Sequence, residues 1–123
     1  MRRAVLAVVA IVLASRSVGA HHGYANFFLD QRVSIEGNIE ALQYANPHVV
    51  MKIRTADSTV YSATWQSAVW LKRVAGVTGT TFAVGDHVVI TGCPPRDPTS
   101  HELASLREVS RPRDGWSWHS QRP

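Results

Sequence analysis

The sequence predicts a mainly β fold: a five-stranded barrel with one short helix between strands 3 and 4, behind a cleaved signal helix. Three observations carry that expectation. Val33, Ile35, Gly37, Ile39 and Ala41 alternate with Ser34, Glu36, Asn38 and Glu40, which is the period of a half-buried strand. Further short runs rich in β-branched and aromatic residues follow, each bounded by turn residues. Only one stretch, Ser67 to Gly76, carries helix start and stop signals, and it falls after the third strand. The order strand, strand, strand, helix, strand, strand is that of an OB-like barrel, whose ligands bind on the strand 2–3 face and nearby loops.

The elements follow in order. Met1-Arg2-Arg3 is a basic start, and residues 4–14 (AVLAVVAIVLA) are an uninterrupted apolar run of 11 residues. Small residues close the segment at Val18 and Ala20. This is the layout of a secretory signal, and the run is too short to span a bilayer. We expect cleavage after Ala20, a signal peptide over 1–20, a barrel over 21–110 and a flexible C-terminal tail over 111–123. His21 to Gln31 reads as an arm with aromatic anchors at Tyr24, Phe27 and Phe28. Strand 1 follows, and Gly37 within it marks a bend or bulge. Pro47 fixes its own φ and pushes Asn46 toward an extended shape.

Val49, Met51 and Ile53 form the inner face of strand 2. Thr59 to Trp65 gives strand 3. Ser67 caps the helix, Trp70, Leu71 and Val74 face the core, and Gly76 ends it. Gly85-Asp86 turns the chain into strand 4 from His87. A polar loop, CPPRDPTS, leads to a weaker strand 5 over Glu102 to Val109. Trp65 and Trp70 read as core.

Charge narrows the partners. The leader holds three of the 13 basic residues, Arg2, Arg3 and Arg16, so the remaining ten nearly balance nine acidic residues. The whole-chain charge of +4 therefore argues little for nucleic acid, and we expect none as partner. We expect a periplasmic or secreted protein without a membrane anchor after cleavage. The single cysteine, Cys93, forms no internal disulfide and reads as structural.

Several motifs occur together: His21-His22, Asn46-Pro47-His48, Trp65, and VGDHVVITG over Val84 to Gly92. On these the chain resembles a family of small exported bacterial proteins of unknown function, over roughly residues 21 to 110. The resemblance implies export and an OB-like barrel, and it implies no activity. The chain departs from the pattern at Gly23, where members usually have Ser, and in the QSAVWLKRVAG segment.

The histidines carry the main functional expectation. A mature His21 offers its α-amine and ring Nδ1 in one chelate, and one more imidazole completes a three-nitrogen site suited to copper. His48 is the expected third ligand, projecting opposite Val49, Met51 and Ile53. His22 and His101 are further metal candidates. The competing reading makes the paired histidines a polar start and Asn46-Pro47-His48 a piece of turn chemistry. A second functional reading needs no metal: a small envelope ligand, or a protein partner, held on the strand 2–3 face by Tyr44, Asn46, Lys52 and Arg54. No phosphate loop, His-Glu-x-x-His or Cys-x-x-Cys motif is present, and we expect binding without catalysis.

Overall fold

The computed structural model describes residues 23–121, so His21, His22 and the leader lie outside the described residues. The chain enters through a 3-10 turn at Tyr24–Asn26, and Phe27 bridges to Pro95. Five strands then build the barrel: β1 (Val33–Gln43), β2 (Val50–Thr55), β3 (Val60–Thr64), β4 (His87–Cys93) and β5 (Glu102–Arg111). The helix α1 (Ala68–Trp70) runs into a π-helical turn at Leu71–Ala75, between β3 and β4.

The strands hydrogen-bond in the order β3-β2-β1-β4-β5, and a parallel pairing of β3 with β5 closes the ring. The long β1 makes this possible. Its first half pairs with β4 (Val33↔Gly92 to Asn38↔His87) and its second with β2 (Gly37↔Thr55 to Gln43↔Val50). One strand thus belongs to both walls, and the sheet curls where it passes from one to the other. Gly37 sits at that crossing. A Cβ there would lie 2.2 Å from the Arg54 carbonyl oxygen, so only glycine lets β2 approach.

The alternating residues meet inside. Ile35, Ile39, Val49, Met51, Ile53, Ala63, Val88, Ile90, Leu103 and Val109 fill the barrel, with Leu71 and Val77 from the helical segment packed against them. Ser67 caps α1 by accepting from the Trp70 amide, and Gly76 ends the segment at φ 67°. Cys93 is buried against Phe27 and Ala104.

Four expectations need correction. Ala41 is exposed, because the β1–β2 register shifts between Ile39 and Ala41 and turns it outward. Trp70 and Val74 do not face the core; they are 38% and 55% exposed, since the short helical segment turns Ala68, Leu71 and, in part, Ala75 inward. β5 runs on to Arg111. Finally, the segment expected as a flexible tail contains a strand, β6 (Trp116–His119), paired antiparallel with β5. Tertiary contact explains that strand: Trp118 packs edge-on against Trp65 at 5.1 Å and Trp116 against Phe82 at 4.9 Å.

An ion cluster fixes the same end. Arg111 is buried at the end of β5, its Nη1 3.1 Å from Asp86 Oδ2 and its Nη2 2.9 Å from Asp114 Oδ2. Nη1 also donates to the Thr81 carbonyl oxygen at 2.6 Å. The turn before β4, the loop before it and the β5–β6 turn are thereby tied together.

Candidate functional site

β3 and β5 pair only at Ser62↔Glu102 and Ala63↔Leu103. Beyond those pairs the seam opens. One cause lies in β5, which bulges where Cys93↔Ala104 gives way to Thr91↔Glu108, with Ser105 held at φ 47°. A residue other than glycine in the left-handed region marks backbone held by its surroundings. The opening is a cleft of about 470 Å3. Its walls are Gly23, Tyr24 and Phe27 from the arm, His48 and Val50 from the β2 side, Thr64, Trp65 and Gln66 from the end of β3, and Glu102, Ala104, Ser105 and Leu106 from β5. Trp65 is buried, and its indole Nε1 has no hydrogen-bond partner among the described residues.

His48 stands exposed just before the buried Val49, on the outer side of the strand as its alternation requires. Its Nδ1 lies 2.9 Å from the Trp65 carbonyl oxygen. A carbonyl oxygen only accepts, so Nδ1 carries the proton. In the neutral ring the lone pair then falls on Nε2, which has no hydrogen-bond partner among the described residues. Holding one ring nitrogen on a backbone carbonyl is how proteins orient a ligating imidazole.

The other expected residues have different surroundings. His101 packs edge-on against Tyr61 at 5.3 Å and does not line the cleft. The Tyr44 hydroxyl, at 3.0 Å from the Ala68 and 2.9 Å from the Val77 carbonyl oxygens, holds the helical segment. Asn46 accepts from the Val69 amide through Oδ1, again at the start of α1. Arg54 donates from Nε to Glu40 at 3.0 Å and borders a separate hollow with Glu36, Asn38 and His87. Lys52 is exposed on the same outer face of β2. Tyr44, Asn46, Lys52 and Arg54 therefore do not converge on one pocket. Among the described residues no group of three or more His, Cys, Asp or Glu is placed to hold a metal ion.

Sequence reasoning missed three features. Glu102 lines the cleft, although its strand gave an ambiguous period. Asp86 and Arg111 form a buried pair, although each reads locally as a polar surface residue. His87, exposed at the start of β4, meets Glu36 Oε1 through Nε2 and Asn38 Oδ1 through Nδ1, each at 2.8 Å. The β1–β4 register opposite Asn38 creates that arrangement. Asp86 is held below the ordinary carboxylate range by the Ala83 amide first, then by Arg111 and Arg113.

A comparison with protein families matches residues 8–104 to a family of unknown function, DUF6152. The chain belongs to that family. The match takes in the barrel as far as the first residues of β5 and leaves β6 outside it. Neither the curated proteins nor the solved structures gave a match. Membership in DUF6152 brings a family but no activity, so function has to be argued from the cleft. Among the described residues, no helix is long and apolar enough to cross a membrane.

Proposed function

We propose that this DUF6152 protein is exported, loses residues 1–20, and binds copper without turnover through His21 and His48. The observation that carries the reading is that Gly23, which directly follows His21-His22, and the oriented imidazole of His48 line one cleft. Of that donor set, the described residues supply the Nε2 lone pair of His48. His21 supplies its α-amine and ring once it is the first residue. Three nitrogen donors in that arrangement suit Cu(II), which binds such ligands most tightly among the common divalent ions. His22 lies next to the chelating residue, and His101 stands outside the cleft wall.

The test is a calorimetric Cu(II) titration of chain whose N-terminus is confirmed as His21 by mass spectrometry. One equivalent should bind tightly. Acetylating the His21 amine should abolish that binding, and H48A should weaken it by about tenfold or more. Undiminished binding after both changes overturns the reading.

A second reading keeps the barrel as a non-metal module with a small ligand. The size of the cleft favours it, because about 470 Å3 is ample for a small molecule and far more than one ion fills.

A further inference from the structure

The cleft between β3 and β5 has a charge of its own. Among the described residues, Glu102 is the one carboxylate in its wall, and no lysine or arginine lines it. Other exposed acids near basic groups are engaged: Glu40 with Arg54, Asp114 with Arg111. Glu102 pairs with no cation among the described residues. Its Oε2 accepts from Ser100 Oγ at 2.7 Å, which orients the carboxylate, and no described residue bonds Oε1. The same cleft is lined by Tyr24, Phe27 and Trp65, together with Val50 and Leu106. A half-buried carboxylate beside aromatic and aliphatic walls favours a ligand with a cationic head and a carbon body. The carboxylate accepts charge-assisted hydrogen bonds, and aromatic faces attract an ammonium.

We propose that the cleft binds a small organic amine, with its ammonium on Glu102 and its carbon body against Tyr24, Phe27 and Leu106. The proposal rests on the second functional reading and needs no metal. Glu102 pairs with Ser62 at the closed end of the seam, whereas His48 precedes the start of β2, whose Val50 pairs with Thr64. The carboxylate and the imidazole therefore stand at different levels along the strands. One can be removed without removing the other.

The experiment uses phenethylammonium as probe and phenethyl alcohol as its uncharged counterpart, titrated calorimetrically into mature protein in EDTA. The ammonium should bind at least about tenfold more tightly than the alcohol, the margin a charge-assisted hydrogen bond supplies. E102Q should bring the two probes to equal affinity while its thermal unfolding stays that of the parent. Equal affinity for both probes in the parent protein overturns the proposal, as does an E102Q protein that still prefers the ammonium. Chelation removes any dependence on copper, so loss of the metal site alone leaves the result intact.

Discussion

The Nδ1 of His48 is 2.9 Å from the carbonyl oxygen of Trp65, across the β2–β3 boundary from it. Two backbone bonds hold the pair in place, from the Val49 amide to the Gln66 carbonyl and from the Trp65 amide to the Val49 carbonyl. The proton position on His48 is thus a property of the strand register and not of the side chain alone. The copper reading depends on that fixed tautomer.

Copper binding should depend on pH in one direction. Protons compete with the metal for nitrogen donors, so affinity should be weaker at acid pH. Titrations at pH 5.5 and 7.5 check this.

Removing Asp86 should be costly. D86A leaves the Arg111 guanidinium buried without one of its two carboxylates, and breaking a buried pair costs about 3 kcal/mol or more. Urea unfolding measures the loss. The adjacent Asp114, exposed on its own side, remains to hold Arg111, so D114A should cost less than D86A.

The same carboxylates set the acid limit of the fold. Asp86 and Asp114 are both held below the ordinary range, Asp86 chiefly by the Ala83 amide and Asp114 chiefly by Arg111. A group whose pKa is lowered on folding contributes stability that is fully present above its unfolded value. That contribution is lost as pH falls through the lower folded value. Thermal midpoints should therefore hold steady above about pH 5 and decline below about pH 4. D86N should flatten the decline.

G37A should destabilise by about 1–3 kcal/mol, the range for forced overpacking, because its Cβ would meet the Arg54 carbonyl oxygen at 2.2 Å. The obstacle is backbone, so no side-chain rotation relieves it. Chemical denaturation measures the loss. A variant at an exposed site, K52A on the outer face of β2, should cost well under that amount.

W118A should lower stability by about 2 kcal/mol. Trp118 is half-buried and loses its edge contact to Trp65 as well as its apolar burial. If β6 were an idle extension, the variant would unfold at the parent midpoint.

The strands that alternate cleanly were legible in the chain. Val49, Met51 and Ile53 had to share a face, and so did Val88 and Ile90, because a strand turns each successive side chain over. Ser67 and Gly76 bounded the helical segment for reasons local to the backbone. Legibility failed where a partner strand decides the outcome. The Trp116–His119 segment has little apolar period of its own and becomes a strand only because β5 offers an edge and Trp65 and Phe82 offer a surface. Ala41 fitted the alternation until a register shift against β2 turned it out.

The candidate site divides in the same way. His48 was legible, since its place opposite Val49 follows from period alone. Glu102 was not, because it reaches the cleft through a parallel contact between residues forty positions apart. The four residues expected to form a ligand face were assigned by side-chain type, and the structure sends Tyr44 and Asn46 to the helical segment and Arg54 to Glu40.

By itself, then, the sequence determined the mainly β class, the order of the barrel's elements, the inner face of its central strands, and a His48 that points away from the core. These follow from short-range rules of period, capping and turn chemistry. Only the tertiary structure decided that the ring closes through β3 and β5, that it parts beyond two residue pairs to leave a cleft, that Arg111 is buried on Asp86, and that the C-terminal segment docks. Each of those depends on a contact between residues distant in sequence, which no local pattern encodes. The free energy that selects them belongs to the packed whole and is absent from any one segment.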